Sequence, residues 1–543
     1  CVMSTLFWDN PRIMMGSAFN NRYLSFPKVG DYNNSSLTLN KEKLRDYTTN
    51  SDGLAWPDII RAQCDPGKLC RSCLNKNLPN EILFKKGDLY VAAVVPVYNK
   101  DTADPLKCGK IREANGWEVV EGIRFAVETV NKKNGIFRNY FGSKKLGYVI
   151  LNSCNQPLHI QSILLKLFKE GIQLSDESRV SDIRNKTLGF VAAYGSSVSV
   201  ATASVIQEFK FPQISYASTA AVLSDRTAYK YFLRTCTPDD KQALAMLNIV
   251  KTLNSSYIQI MYSEGTYGEG GRNAIVNAAK ESKICVANEI KVEERNYKRI
   301  RDDLLRTPYA TIILLFLKSH VINDVLKELH ETIEVWSYIF IGSEAFGTRK
   351  DIITERPKLE GTISLSLEMN PLTGILEFET YLYDRLVTRG SDINPWTREY
   401  FEERNGCYMP GSFNKMFDSQ CSDIAEQFNN KYYQPEIWTS FAINAVFSLL
   451  QGSNKAFEQL CGTQSSSLCK QYRDDPDTVY NWIKKQRMVI DNSGVPSKVF
   501  NDNGDGNIGY KIYQVKKKLS DTSQLTYEEV KLYNVQYQYF LKI

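Results

Sequence analysis

The sequence predicts an α/β fold of two lobes, each a mainly parallel sheet flanked by helices, because apolar runs and helical periodicities alternate along most of the chain. The chain has 543 residues, of which 43% are hydrophobic and 24% are charged, as is usual for a folded globular protein. The alternation recurs within residues 198–367, which favours two sheets over one very large sheet.

Each predicted strand is a short apolar run, and each predicted helix repeats apolar residues every three or four positions. Residues 89–97 (LYVAAVVPV) are predicted to form a strand buried on both faces. Further strands are predicted at 146–151, 188–193, 212–216, 257–262, 311–316, 337–342 and 361–367. Helices are predicted at 117–130, 160–172, 198–209, 241–253, 270–281, 321–330, 437–450 and 478–487. The segments 498–500, 509–515 and 530–536 alternate polar with apolar residues, as edge strands do.

Charge and hydropathy exclude two classes of function. The net charge is +6 with no long basic run, so the sequence offers no footprint for nucleic acid. The longest apolar run, residues 310–317, is far shorter than the ~18 residues that a membrane helix needs. The chain opens on Cys1 and lacks a basic-then-apolar leader, so we expect a processed or excised soluble piece.

The cysteines indicate an oxidising compartment. There are 12, and several lie close enough in sequence to pair: Cys108 with Cys154, Cys407 with Cys421, and Cys461 with Cys469. Asn-x-Ser/Thr tripeptides, which are potential glycosylation sites, support a secreted protein and occur at Asn33, Asn34, Asn185 and Asn254. We therefore expect an extracellular or lumenal location.

Residues 1–87 form a predicted N-terminal extension that is rich in polar residues and weakly periodic. Its cysteines are Cys1, Cys64, Cys70 and Cys73. The spacing of the last three could indicate zinc, but a structural zinc site usually needs four ligands and no histidine is near. A disulfide-tied extension is the favoured interpretation.

One segment has the pattern of an anion site. In LGFVAAYGSSVSV (188–200), a buried strand leads through Gly195, Ser196 and Ser197 into a helix, whose free N–H groups and dipole attract a carboxylate. The alternative is that these serines only cap the helix. Ser218 and Thr219 follow another strand, where an open parallel sheet binds its ligands.

Asp239 and Tyr267 are candidate partners for a cation. Asp239 precedes a predicted helix where the chain crosses between lobes, and the ring of Tyr267 offers a face to an ammonium group. For each residue taken alone, a helix cap or a core position is the favoured interpretation. No common hydrolase, zinc-protease, phosphate-loop or dinucleotide motif occurs, so we expect neither an enzyme nor a cofactor. Asn501–Gly506 (NDNGDG) resembles the start of a calcium loop but lacks its first Asp and its final Glu, so no metal site is predicted.

The sequence resembles metabotropic glutamate receptors over about residues 88–536. The similar segments are YASTAAVLSDRTAYKYFLR (216–234), QALAMLNIVK (242–251), CGKIRE (108–113) and FNDNGDGNIG (500–509). The resemblance implies the extracellular Venus-flytrap domain of a class C G-protein-coupled receptor, with two lobes of the type I periplasmic-binding-protein kind. It places lobe 1 at 88–235 and 369–497, and lobe 2 at 236–368 and 498–543.

The resemblance also assigns ligand contacts. It places the ligand's α-carboxylate at Ser196 and Thr219, and its α-ammonium at Asp239, Tyr267 and Glu344. The basic and phenolic side chains that bind the distal carboxylate of glutamate in the family are replaced by Asn115, Val119 and Trp438, and only Arg349 matches. We therefore expect an α-amino acid other than glutamate, with an apolar or aromatic side chain packing on Trp438 and Val119.

The resemblance further implies a homo- or heterodimer through lobe 1, and a heterotrimeric G protein coupled through a membrane domain outside this chain. The loop at 173–187 contains no cysteine, so we expect the dimer to be non-covalent. Cys285 is similar to a cysteine that the family pairs with a downstream module, whereas Cys236 has no counterpart. Two alternatives stay open: a soluble amino-acid carrier or decoy, and a structural or adhesion module with an inactive pocket.

Overall fold

The computed structural model describes residues 81–541 except 102, 105, 174–178, 295, 333–337, 369–374, 389–393, 410–411, 413–416, 422–435, 463–467, 490–495, 522 and 535–538. By its contacts the chain divides into Cys1–Leu74 and Asn75–Ile543, and the described residues belong to the second unit. The predicted extension at 1–87 lies largely outside the described residues, as do its cysteines Cys1, Cys64, Cys70 and Cys73 and the tripeptides at Asn33 and Asn34.

Lobe 1, as the term is used below, is built on a six-stranded sheet in the order β1-β5-β2-β8-β9-β10. All neighbouring strands are parallel except β1, which is antiparallel to β5. The central strands are buried on both faces, as their continuous apolar runs predict. The bounds are β1 Ile82–Lys85, β2 Leu89–Val95, β5 Leu146–Asn152, β8 Thr187–Val191, β9 Gln213–Ser215 and β10 Phe232–Arg234.

Lobe 2 is built on an eight-stranded sheet in the order β12-β11-β13-β14-β15-β18-β19-β20. The first five strands of that order are parallel, and β18, β19 and β20 extend the sheet as antiparallel strands. The bounds are β11 Tyr257–Ser263, β12 Cys285–Val292, β13 Ile312–Phe316, β14 Ile339–Gly342, β15 Ile363–Leu367, β18 Tyr510–Lys517, β19 Leu525–Asn534 and β20 Tyr539–Leu541.

Helices cover both faces of the lobe 1 sheet. Residues of the helices at 117–131 and 437–461 pack into one core, and residues of the helices at 157–170 and 196–206 pack into another, on opposite sides of the strands. The bounds in lobe 1 are α1 Trp117–Asn131, α2 Pro157–Glu170, α3 Ile183–Lys186, α4 Ser196–Ile206, α10 Ile375–Tyr383, α11 Pro395–Asn405, α12 Ile437–Cys461, α13 Lys470–Asp474 and α14 Pro476–Lys484. In lobe 2 they are α5 Asp239–Thr252, α6 Thr266–Ser282, α7 Ile300–Leu305, α8 Ser319–Thr332 and α9 Lys350–Ile353. The predicted α/β class with helix-flanked parallel sheets is confirmed.

Short hairpins and three disulfides complete lobe 1. The hairpins pair β3 Tyr98–Lys100 with β4 Cys108–Ile111, β6 Ile172–Gln173 with β7 Arg179–Val180, and β16 Arg487–Val489 with β17 Pro496–Lys498. The disulfides join Cys108 to Cys154, Cys407 to Cys421 and Cys461 to Cys469, which confirms all three predicted pairs. Among the described residues, no helix is long and apolar enough to cross a bilayer.

Element boundaries differ from the predictions at both ends of helices and in the C-terminal strands: the helix predicted at 437–450 continues to Cys461, and the strands predicted at 498–500 and 530–536 are at Pro496–Lys498 and Leu525–Asn534. Helices predicted from residues 198, 241 and 270 begin at Ser196, Asp239 and Thr266, because first-turn residues are polar or small and carry no apolar signal. Ile172 and Arg487, predicted as helix ends, belong to strands. The strands β1, β10 and β12 and the helices α10 and α11 were not predicted. Strand β12 lies at a sheet edge and is only partly buried, so it lacks a continuous apolar run.

Candidate ligand-binding site

Two strand ends bring the predicted carboxylate contacts together in lobe 1. Strands β8 and β9 are parallel neighbours, so the segments that follow them meet at one edge of the sheet. Ser196 is the first residue of α4, and its hydroxyl accepts a hydrogen bond from the backbone N–H of Ala220 at 3.3 Å. Thr219, the residue before Ala220, is 1% exposed. The N-terminus of α4 therefore lies next to the loop that carries Thr219.

A buried arginine fixes the loop that carries Thr219. Arg234 is fully buried at the end of β10 and donates to the carbonyl oxygens of Ser218 at 3.0 Å and Ala220 at 2.9 Å. Its Nε lies 2.7 Å from a carboxylate oxygen of Asp505, which belongs to the loop that resembled a calcium site. Burial disfavours ionisation of Asp505, but Arg234 and Arg226 hold the pKa of its carboxyl below the usual range. The Asp505 loop thus binds the guanidinium of Arg234, and Arg234 in turn fixes the backbone on either side of Thr219.

The predicted ammonium contacts Asp239 and Glu344 form an acidic group next to the loop that carries Thr219. Asp239 begins α5, and its N–H donates to the carbonyl oxygen of Thr219 at 2.8 Å. Its side chain is fully buried, and no described residue donates a hydrogen bond to either carboxylate oxygen. Burial and the negative charge of Glu344 raise the pKa of Asp239 well above its usual value, although the nearby Thr219 hydroxyl and the charge of Arg234 lower it in part. Within the described part of the chain, Asp239 therefore has no cation in ion-pair contact, which a buried carboxylate normally has.

Glu344, just after β14, makes hydrogen bonds with residues of both lobes. Its Oε1 accepts from the hydroxyl of Thr219 at 3.5 Å, and its Oε2 accepts from the hydroxyl of Tyr267 at 3.1 Å. The Tyr267 hydroxyl also lies 2.9 Å from the hydroxyl of Ser343. Burial raises the pKa of Glu344 as well. The structure thus brings Ser196, Thr219, Asp239, Tyr267 and Glu344 close together at the boundary between the lobes, which is called the cleft below.

Further contacts cross the cleft between the lobes. The hydroxyl of Ser197 in α4 donates to the hydroxyl of Thr266 in α6 at 3.1 Å. Lys100 of β3 in lobe 1 forms an ion pair with Glu294, which follows β12 in lobe 2. On the lobe 2 side, Glu294 also lies 3.1 Å from Lys318. The lobes are therefore in contact along the cleft.

The distal positions, called the distal wall below, come from both lobes and are already engaged by protein groups. The backbone N–H of Asn115 donates to Glu436 at 2.6 Å. Arg349 is ion-paired with Asp351. The Trp438 ring is 8% exposed, and Val119 is fully buried in the lobe 1 core. Whether any of these side chains contacts a ligand stays a prediction.

Sequence reasoning missed several residues of this wall. Tyr194 contacts both Asn115 and Trp438. Glu436 lies beside Glu118, and burial together with that negative charge raises the pKa of Glu436 to about 8. The signal at Tyr194 was visible, since a large aromatic precedes the small Gly195, but a tyrosine after a buried strand also fits a core position.

One group of potential metal ligands is present among the described residues. Ligand atoms of Cys108, Cys154 and His159 lie within 4.8 Å of one another. Both sulfurs are joined in a disulfide, so they offer no thiolate. The cleft itself presents carboxylates, hydroxyls and backbone N–H groups, which suit a zwitterion.

Comparison with known proteins finds one matching family and several similar receptors. Residues 118–518 match the family described as receptor family ligand binding region. Metabotropic glutamate receptor 8 of Mus musculus and that of Homo sapiens are each 28% identical to the chain over 449 residues, and that of Rattus norvegicus is 27% identical. These alignments cover 79% of this chain and 48% of each relative, so the chain spans about half the length of the curated relatives it matches.

Proposed function

This chain belongs to the family of receptor ligand-binding regions, and from that premise we propose that it binds an α-amino acid between its lobes as the extracellular part of a class C G-protein-coupled receptor. The relationship to metabotropic glutamate receptors supports the receptor class. The observation that carries the ligand class is the fully buried Asp239 carboxyl, which has no donor among the described residues. An α-ammonium group supplies that donor and a counter-charge for both Asp239 and Glu344.

The other end of the cleft is suited to an α-carboxylate. Ser196 and Thr219 supply hydroxyls beside the N-terminus of α4, where free N–H groups and the helix dipole favour an anion. The Thr219 hydroxyl donates to Glu344 in this structure, and it becomes available to the carboxylate when the α-ammonium group pairs with Glu344. The two ends together match the charges of a zwitterion. Because the ends come from different lobes, a bound amino acid stabilises the arrangement in which the lobes meet.

Glutamate is a poor ligand in this proposal because the distal wall offers its second carboxylate little positive charge. Asn115, Val119 and Trp438 carry no charge, and Arg349 is already ion-paired with Asp351. Burying a carboxylate without a partner costs several kcal/mol. An amino acid without a distal charge avoids that cost.

A panel of amino acids tests the proposal. In a thermal-shift assay of the full chain, at least one α-amino acid is expected to raise the melting temperature more than glutamate, since a ligand at a hundredfold excess over its Kd contributes about 2.7 kcal/mol. Ser196→Ala is expected to diminish the shift. Ser204→Ala, which changes an exposed serine of the same helix, is the matched control. Glutamate as the strongest ligand contradicts the distal-wall argument, and a flat response to all amino acids contradicts the ligand class.

Receptor signalling follows from the same geometry in this proposal: closure of the lobes rearranges a dimer at the plasma membrane and activates a G protein. The predicted dimer helices bury Leu164, Leu167 and Val205 in lobe 1, whereas Leu165 and Phe209 are exposed and available to a partner. We also propose that Asn185 and Asn254, both exposed, carry glycans. These steps belong to the whole receptor, of which this chain is a part.

The Lys100–Glu294 pair is expected to favour closure. Lys100→Ala removes an ion pair between the lobes and is expected to weaken amino-acid binding about 1.4- to 5-fold, because partly exposed pairs contribute roughly 0.2–1 kcal/mol. Lys318→Ala removes a contact with the same carboxylate from within lobe 2, so its effect on affinity is expected to be smaller. Calorimetric titration at low and high salt measures both, and equal losses contradict a role in closure.

A further inference from the structure

Tyr194 extends from lobe 1 across the cleft beside the proposed carboxylate site. It stands between β8 and α4, two residues before Ser196, and its backbone carbonyl accepts a hydrogen bond from the Ser218 hydroxyl at 3.3 Å. Its phenolic hydroxyl reaches the hydroxyl of Ser319, the first residue of α8 in lobe 2, at 3.3 Å. The ring therefore lies in the space between the lobes.

Three contacts in lobe 1 hold the ring in this position. The Trp438 ring packs edge-on against it, with centroids 6.1 Å apart and planes at 90°. The guanidinium of Arg112 lies 5.3 Å from its centroid, as a cation–π contact. The side-chain amide of Asn115 donates to its hydroxyl at 3.3 Å. Moving the ring out of the cleft breaks all three contacts as well as the contact with Ser319.

The ring lies beside the proposed site, in contact with the distal residues. In the proposed binding mode, with the carboxylate at Ser196 and Thr219 and the ammonium at Asp239, the side chain of an L-amino acid is directed towards these residues. Residues of the distal wall converge on Tyr194: Asn115 and Trp438 contact it directly. Arg349 reaches it through Ser319, whose carbonyl oxygen accepts from the guanidinium at 2.5 Å.

We propose that Tyr194 is a specificity-determining residue that restricts the ligand to α-amino acids with small side chains, such as glycine, alanine and serine. This inference rests on the proposed function and deepens it by naming the ligand class. The Trp438 ring, on which the sequence analysis expects a ligand side chain to pack, is already in T-shaped contact with the Tyr194 ring, which belongs to the protein. A hydrogen, methyl or hydroxymethyl group leaves the ring in place, whereas an isobutyl or benzyl group requires its displacement.

The test is the ranking of ligands for the full chain and for Tyr194→Ala. Calorimetric titration uses glycine, alanine, serine, leucine and phenylalanine as probes. We expect the unmodified chain to bind the best of the first three at least tenfold more tightly than leucine or phenylalanine. In Tyr194→Ala, the Kd for leucine or phenylalanine is expected to fall at least tenfold, because the space of the phenol ring becomes free.

Two controls separate size from other effects. Tyr194→Phe keeps the ring and removes the hydroxyl, so the preference for small side chains is expected to persist. Tyr257→Ala removes an exposed tyrosine of β11 and is expected to leave the ranking unchanged. Melting temperatures without ligand check that each variant folds, and the ranking of the unmodified chain is decisive even where Tyr194→Ala is unstable.

Leucine or phenylalanine binding the unmodified chain as tightly as alanine overturns the size restriction but supports the proposed function. The same ranking in Tyr194→Ala as in the unmodified chain also overturns the role of Tyr194. Absence of binding for all five probes, and for every other amino acid of the panel, overturns the proposed function and the size restriction with it.

Discussion

Asp239→Asn is expected to weaken amino-acid binding by roughly 30- to 1,000-fold and, at the same time, to stabilise the unliganded protein. The loss of affinity follows from removing the buried charge that pairs with the α-ammonium, a change that typically costs about 2–4 kcal/mol. Calorimetric titration with the best ligand of the amino-acid panel measures it. Asp240→Asn, one residue along the same helix, is the matched control, because Asp240 is half-exposed and lies beside Lys241.

The gain in stability has a separate cause. In the unliganded protein the Asp239 carboxyl is fully buried, has no donor among the described residues and lies near Glu344. A neutral amide relieves the electrostatic repulsion and offers Glu344 a donor, so we expect a gain of about 1–2 kcal/mol in the free energy of unfolding. Opposite effects on affinity and stability are typical of a residue kept for binding.

The pH dependence has a definite sign. Because burial and Glu344 raise the pKa of Asp239 in the folded state, the folded protein keeps a proton that the unfolded chain releases at about pH 3.9. The stability contributed by this group is therefore fully present below about pH 3.9 and falls as the pH rises towards the folded-state pKa. Asp239→Asn is expected to flatten this part of the stability profile. Unchanged affinity in Asp239→Asn contradicts the ammonium assignment.

The parts of the fold that the sequence predicted well are those where burial leaves a local pattern. The run at 89–97 and the helical spacing at 117–130 correspond to β2 and α1 because both elements are almost entirely buried. The pattern fails where burial is partial or the element is short. Strand β12 is partly exposed along most of its length, and β10 has only three residues.

The grouping of the proximal residues was predicted in the same way, and the contacts of the distal wall were not. Ser196 and Thr219 follow parallel strands, and that rule alone places them at one sheet edge. The position of Tyr194 depends on contacts with Ser319 and Trp438, which are 125 and 244 residues away in sequence (319 minus 194 and 438 minus 194). A local pattern contains no information on such contacts, so the tyrosine could not be told from a core residue.

The ion pair of Asp505 with Arg234 is another contact between residues far apart in sequence, which a local pattern does not predict. Its loss gives the largest expected effect on stability. Asp505→Ala is expected to lower the free energy of unfolding by about 3–5 kcal/mol, because it leaves the fully buried guanidinium of Arg234 without its carboxylate. Asp502→Ala, in the same loop, is the control: its side chain is 96% exposed and pairs only with Lys498 among the described residues, so a change within about 0.5 kcal/mol is expected.

Urea unfolding at several pH values measures the effect of Asp505→Ala and its origin. Since Arg234 and Arg226 hold the pKa of Asp505 below its usual range against the effect of burial, its contribution is present above about pH 3.9 and is lost as the pH falls through the lowered pKa. The parent and the variant should therefore converge in acid, opposite to the behaviour of Asp239. Arg234→Met combined with Asp505→Ala is expected to lose less than the sum of the two single changes, because no charge stays buried without a partner. Strict additivity, or a loss below about 1 kcal/mol in Asp505→Ala, contradicts the role of this pair in holding the Thr219 loop.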